Sequence, residues 1–251
     1  MNPFDLSGKV ALVTGANTGI GQGIALALAQ AGADIAALAR SEPVDTLAQV
    51  RAAGRRCVWV EAEFGHAAPA ADIVPHVLAA LGGLDILVNN AGTIRRNDAL
   101  EFTESDWDDV IDVNLKSAFF LAQQAARHWV AQGGGGKIIN IASMLSFQGG
   151  IRVASYTASK SGLLGITRGL ANEWARHGIN VNAIAPGYFA TNNTDALRKD
   201  ETRNRDILAR IPAGRWGSPG DLGGAAVFLA SSAADYVHGA VLPVDGGWLA
   251  R

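Results

Sequence analysis

The 251-residue sequence predicts an α/β fold, a single doubly wound parallel sheet of about seven strands with helices on both faces. Three observations predict it. Short β-branched runs alternate with longer Ala/Leu-rich segments along the whole chain. No linker rich in Pro, Gly or Ser and no internal repeat divides it, so residues 1–251 read as one domain. Hydrophobic residues make up 49% of the chain, enough to bury both faces of such a sheet.

The elements follow in order. "KVALVT" (Lys9 to Thr14) reads as a buried strand, and "GIGQGIALALAQAG" (Gly19 to Gly32) as a helix closed by glycine. "DIAALA" (Asp34 to Ala39) is the second strand, followed by a helix around Val44 to Ala53 and the strand "CVWVEA". A helix near Ala70 to Leu81 leads into "LDILVNN", and two helices lie between Glu104 and Gln132. "GGGGKIINIAS" is a glycine turn entering a fifth strand. A long helix over Ser155 to His177 precedes a sixth strand, "INVNAIAP", stopped by Pro186. A mobile polar segment from Asn192 to Arg210, a helix from Asp221 to Ala230 and a last strand at "AVLPV" complete the chain.

Composition excludes several classes. The net charge is −2 with both signs mixed, which gives no footprint for nucleic acid or an anionic membrane surface. The single cysteine, Cys57, sits in an apolar run and cannot form an internal disulfide. No basic stretch leads into a long apolar segment at the start, and no span is apolar enough for a membrane, so a reducing cytoplasmic setting is expected. The five histidines are scattered, and no metal site is expected.

The turn after the first strand reads "TGANTGIGQG". Gly15, Gly19 and Gly21, with Asn17, Thr18 and Ile20 between them, let the backbone approach a phosphate closely, and the helix beyond supplies free N–H groups and a positive dipole end. A merely structural tight turn is the alternative. "VNNAG" ends the fourth strand and places Asn89, Asn90 and Gly92, with Ala91 between them, at the carboxyl edge, where open parallel sheets bind ligands; an asparagine-capped turn is the alternative there.

Tyr156 and Lys160 stand four residues apart, hence on one helix face. A free phenol titrates near ~10, and a neighbouring ammonium lowers that value toward neutrality. The pair then suits proton transfer, and the small residues around it leave room for a flat ring and a carbonyl. Ser143, after "KIINIA", stands at a strand end within reach of the same carbonyl. Taken alone, a Tyr/Lys pair is a common surface feature; the serine and the glycine turn upstream set this one apart.

Together these features resemble the short-chain dehydrogenase/reductase family over essentially the whole chain. The resemblance rests on Thr14-Gly15-x-x-x-Gly19-x-Gly21, "NNAG" at 89–92, Asn114 in "VNLKSAFF", Ser143, Tyr156-x-x-x-Lys160, Pro186–Gly187 and "VDGGW". It implies a Rossmann-like fold and hydride exchange with NAD or NADP. It implies Tyr156 as general acid/base, Ser143 positioning the carbonyl, Lys160 tuning the phenol and holding the nicotinamide ribose, and Asn114 supporting a proton relay. Pro186, Gly187 and Thr191 would lie against the nicotinamide. The second strand ends at Ala39 rather than an acid, and Arg40 follows. Arg40 therefore meets a 2′-phosphate, stacks on the adenine or faces solvent, and NAD versus NADP stays open. Glu63, followed by Phe64, replaces the family's aspartate beside the adenine.

Stretches that vary within the family, "AGTIRRNDALEFTESDWDDV" and "NIASMLSFQGGIRVASYTASKSG" among them, resemble members acting on six-carbon deoxy keto-sugar acids of hexuronate catabolism. Such a small-molecule substrate needs a cation for its carboxylate, and Arg95, Arg96 and Arg152 flank the expected pocket. Arg152, in the loop before Tyr156, is the first candidate, with surface ion pairing the alternative for each arginine. Gln148, Tyr188, Asn192 and Asn193 are candidates for its hydroxyls. The segment 192–210 reads as a substrate lid or as a solvated helix outside the site. The resemblance also implies a homotetramer. Two other readings remain open: a reductase of another carbonyl, such as a 3-oxoacyl thioester or a sugar alcohol, and a dinucleotide-binding redox sensor without turnover.

Overall fold

A computed structural model describes residues 2–65 and 70–251. Seven strands form one sheet: β1 (Val10–Thr14), β2 (Asp34–Ala39), β3 (Cys57–Glu61), β4 (Ile86–Asn89), β5 (Gly136–Ile141), β6 (Ile179–Pro186) and β7 (Val241–Val244). Their spatial order is β3-β2-β1-β4-β5-β6-β7, and every neighbouring pair is parallel. The helices are α1 (Gly19–Gln30), α2 (Val44–Ala52), α3 (Ala70–Leu81), α4 (Glu104–Ile111), α5 (Ser117–Ala131), α6 (Ala154–Trp174), α7 (Asp195–Lys199), α8 (Glu201–Arg210) and α9 (Gly223–Ala230).

Strands buried on both faces explain the continuous apolar runs. In β1, Ala11 and Val13 face a core shared with Ile24 and Leu28 of α1, Val50 of α2 and Leu229 of α9. Val10 and Leu12 face the other core, with Val77 of α3, Leu121 and Trp129 of α5 and Leu170 of α6. Each fully buried leucine or isoleucine contributes about 1.5–3 kcal/mol against exposure. Asp34, at the start of β2, pins the sheet's lower edge. It accepts from Arg56 Nε at 2.7 Å and pairs with Arg55 at 2.7 Å. Burial opposes its charge, but these two arginines win and hold the carboxyl below its usual range.

The two helices expected between Glu104 and Gln132 are α4 and α5, and a π-helical segment, Asp112–Lys116, joins them. The polar segment 192–210 forms a turn at Asn192–Thr194 and then α7 and α8. Its Ala, Leu, Arg and Lys content favours helix, and Asp200 caps α8 by accepting from Arg203 N at 3.0 Å.

The chain leaves β1 toward β2 on one side and returns to β4 on the other, so the strand order reverses between β1 and β4. A crevice opens there at the carboxyl ends, the place where such sheets bind ligands. Among the described residues, no helix is long and apolar enough to cross a membrane.

Candidate active site

The glycine turn lies between β1 and α1. Gly15 and Gly19 adopt φ of 66° and 59°, the left-handed region that favours glycine. A Cβ on Gly21 would collide with the Gly15 carbonyl and the Asn90 amide. The N-terminus of α1 carries no side-chain cap and no acid in its first turn, so its N–H groups and dipole are open to an anion. The turn thus fits a dinucleotide phosphate, with Asn17, Thr18 and Ile20 between the glycines. Thr191 reaches over it: its methyl lies 3.4 Å from the Cβ position of Gly19.

The "NNAG" stretch is stitched to this turn. Thr14 Oγ1 accepts from Asn90 N and Ala91 N, both at 2.9 Å, while Asn90 Nδ2 donates to Thr14 O at 2.8 Å. The Asn90 side chain therefore holds the turn in shape, and the crevice wall is its backbone together with Ala91 and Gly92. Across the crevice, Gly187 follows Pro186 at the end of β6. A Cβ there would meet the Asp245 backbone at 2.7 Å, so only glycine fits.

Asn114 sits in the π-helical segment and is buried. Its Oδ1 accepts from Thr93 N at 2.8 Å, and its Nδ2 donates to Thr93 O at 3.0 Å and to Ser159 Oγ at 3.1 Å. It fastens the loop after β4 to α6.

Ser143, Tyr156 and Lys160 come together at the end of β5 and the start of α6. The Ser143 hydroxyl stands near enough to the Tyr156 phenol to act on its proton, and it accepts from Leu145 N at 3.1 Å. Lys160 is buried; its Nζ lies 5.7 Å from the Tyr156 ring centre and donates to Ile141 O at 2.6 Å. The electrostatics correct the expectation of a lowered phenol pKa. Burial pushes Tyr156 up, and the Ser143 hydroxyl and the Arg96 charge offset only part of that rise. The ammonium lies over the Tyr156 ring and gives a proton to the Ile141 carbonyl, and burial lowers Lys160 itself to about 8. Such a phenol holds its proton at neutral pH and can give it to a carbonyl oxygen lying against Ser143.

The arginines separate. Arg95 pairs with Asp109 at 3.0 Å and Asp106 at 3.7 Å. Arg152, the first candidate from the sequence, pairs with Asp98 at 3.1 Å, has a left-handed backbone (φ 64°) and accepts from Asn97 N at 3.1 Å. Arg95 ties the loop after β4 to α4, and Arg152 ties two loops together. Arg96 is the arginine whose charge reaches the phenol. Arg40 is exposed at the end of β2 and touches Glu63 Oε1 at 3.3 Å. Glu63 thus stands beside Arg40, whereas Phe64 packs into the core under α3. Asn192 and Asn193 lie exposed on the turn before α7.

Gln148 accepts from Arg210 Nη2 of α8 at 3.2 Å. Tyr188 stacks edge-on with Trp216 and Trp248, at 5.4 and 4.8 Å. Arg210 and Trp248 were not singled out as site residues by sequence reasoning. The basic character of α8 was the available signal.

Residues 15–249 match the family described as Enoyl-(Acyl carrier protein) reductase. A solved short-chain type dehydrogenase/reductase from Mycobacterium marinum is 35% identical, with a TM-score of 0.92, and the match covers 100% of this chain and 99% of that one. The chain belongs to the short-chain dehydrogenase/reductase family. Within the short-chain dehydrogenases, 2-dehydro-3-deoxy-D-gluconate 5-dehydrogenase of Escherichia coli K12 is 63% identical over 100% of this chain and 99% of its own length. A crystal structure from Agrobacterium tumefaciens, assigned to a 2-deoxy-D-gluconate 3-dehydrogenase with bound NADP, is 58% identical with a TM-score of 0.92, and the match covers 100% of each chain.

Proposed function

We propose that the protein is an NADP-dependent oxidoreductase acting on a keto group of a six-carbon deoxy sugar acid, as a 2-dehydro-3-deoxy-D-gluconate 5-dehydrogenase. The observation that carries the reaction is the buried Tyr156 phenol beside Ser143 and Lys160, at the sheet edge onto which the glycine turn opens. Full-length likeness to the Escherichia coli enzyme supports the substrate class.

In the reducing direction Ser143 hydrogen-bonds the substrate carbonyl and Tyr156 gives it a proton. In the oxidising direction Tyr156, as phenolate, takes the alcohol proton. Lys160 fixes the geometry from below through Ile141 O, with N–H groups left for a ribose. Asn114 keeps the loop after β4 against α6 and stands at the start of a proton path. A nicotinamide dinucleotide supplies or accepts the hydride. The turn from Gly15 to Gly21, the wall Asn90–Ala91–Gly92, and Pro186, Gly187 and Thr191 would hold it. Arg40 would take its 2′-phosphate, because the second strand ends without the carboxylate that reads a 2′-hydroxyl. The Arg96 charge, which acts on the phenol, would meet the reacting end of the substrate. The whole chain works as one domain, with residues 192–210 as its lid. The enzyme acts in the cytoplasm as a homotetramer, with Trp107 of α4 and Phe120 of α5 exposed for subunit contact.

The test is purified protein with 3-deoxy-D-glycero-2,5-hexodiulosonate and NADPH or NADH, followed by loss of nicotinamide absorbance. Rapid NADPH consumption supports the reading, and none with either cofactor sinks it. Arg40→Ala is expected to raise KM for NADPH about tenfold, the scale of one lost charged hydrogen-bond set, and to leave KM for NADH nearly unchanged. An unaltered NADPH/NADH ratio removes Arg40 from 2′-phosphate recognition.

A further inference from the structure

Helix α8 carries three arginines, of which Arg205 pairs with Asp206 at 3.3 Å. Arg95, Arg152, Arg198 and Arg215 each have an aspartate partner within 3.4 Å. Arg203 and Arg210 have no carboxylate partner among the described residues. Arg210 is nonetheless placed: its guanidinium lies 4.0 Å over the Trp248 ring, and its Nη2 donates to Gln148. Stacking uses the guanidinium face and Gln148 one N–H, so the remaining edge keeps the fork that suits a carboxylate. Trp248 in turn stacks on Tyr188, and Trp216 Nε1 donates to Asn204 of α8 at 2.8 Å. The group borders the catalytic serine, since Met144 packs in the same apolar cluster as Trp248 and Ile207. The charges of both Arg203 and Arg210 reach Tyr188, whereas that of Arg96 reaches Tyr156.

We infer that Arg210, assisted by Arg203, is the carboxylate anchor of the substrate site, supported by Gln148, Tyr188 and Trp248. The inference rests on the sugar-acid reading and deepens it. In a 5-keto acid the carboxylate lies four C–C bonds from the reacting carbon, roughly 5 Å away when extended, with bonds of about 1.5 Å. A cation beside the phenol meets the reacting end, and the acid end requires a second cation farther out. Arg210 supplies it from a helix bridged to the loop before Tyr156. Specificity for acids over neutral sugars is then a property of α8 rather than of the catalytic serine and tyrosine.

Arg210→Gln, Arg203→Gln and Arg210→Lys are compared with wild type in three measurements. The first is inhibition by D-gluconate of turnover of whichever ketone the enzyme reduces, which reads the anion site even if the proposed substrate is wrong. The second is KM and kcat for the keto acid and for its uncharged methyl ester. The third is NADPH affinity by fluorescence, with a thermal melt as the fold control. Arg210→Gln is expected to weaken gluconate inhibition and raise KM for the acid by about tenfold or more. KM for the ester, kcat and NADPH affinity stay nearly constant, and Arg210→Lys recovers part of the loss. Arg203→Gln shows a smaller shift of the same kind. Equal losses on acid and ester overturn the inference, as does unchanged gluconate inhibition. Should a variant melt early, part-recovery by Arg210→Lys on the acid alone still supports the anchor, and recovery on both substrates assigns Arg210 a purely structural role. Failure of wild type to reduce any sugar acid, with gluconate still inhibiting through Arg210, overturns only the reading under which the substrate was named.

Discussion

Tyr156→Phe is expected to lower kcat for ketone reduction by about 10³-fold, the scale of a lost positioned general acid. The ring stays, so packing and NADPH affinity should change little, and a titration of NADPH fluorescence checks that. The pH profile of the wild type carries the sharper information. Reduction needs the proton on the phenol. Burial pushes the Tyr156 pKa up, so the proton is present throughout the neutral range and the reductive kcat should be flat there. It should decline only on the alkaline side, where Lys160, held at about 8, also loses its charge. Oxidation needs the phenolate, so its kcat should climb with pH over the same range. A reductive profile that already falls between pH 6 and 7 contradicts the raised phenol. Residual activity in the phenylalanine variant within tenfold of wild type contradicts proton donation by Tyr156.

Gly21→Ala carries the second large effect. The new methyl would be driven against the Gly15 carbonyl and the Asn90 amide. Neither neighbour is the free end of a flexible chain: Gly15 is turn backbone, and Asn90 is held by Thr14. The first turn of α1 must therefore move away from β1. About 2 kcal/mol of overpacking is expected to lower Tm, and the displaced N–H groups of the turn are expected to weaken NADPH binding by roughly 30-fold. Equilibrium titration with NADPH and a melt of the apoprotein separate the two. Wild-type affinity with an unchanged Tm would mean the turn can relax, and the close approach would lose its importance for binding.

Much of the fold was legible because parallel strands buried on both sides write continuous β-branched runs, as in "VALVT" and "INVNAIAP". The glycine turn and the Tyr156/Lys160 spacing were legible because local geometry demands those residues at those intervals. The π-helical join at Asn114 was not, since its hydrogen bonds run to Thr93 and Ser159, far away in sequence. Nor was the choice among arginines, because only the folded chain brings Asp98 to Arg152 and Asp106 and Asp109 to Arg95. The phenol's electrostatics escaped for a similar reason. Four-residue spacing gives a shared helix face, but not that the Lys160 ammonium turns to the carbonyl of Ile141. Arg210 was hidden because Gln148 and Trp248, which aim it, are remote along the chain.

That turn of Lys160 can be read as a matter of valence. An ammonium has three protons and no lone pair. One is committed to Ile141 O, and it locks the register of a helix against the strand beside it. Two remain, on a tetrahedral centre whose free directions are then fixed rather than rotating. A guanidinium at this position has its protons in one plane, so its fork cannot meet the strand carbonyl and also direct two protons into separate quadrants above it. The side chain at position 160 is thus selected for the number and arrangement of its protons as much as for its charge.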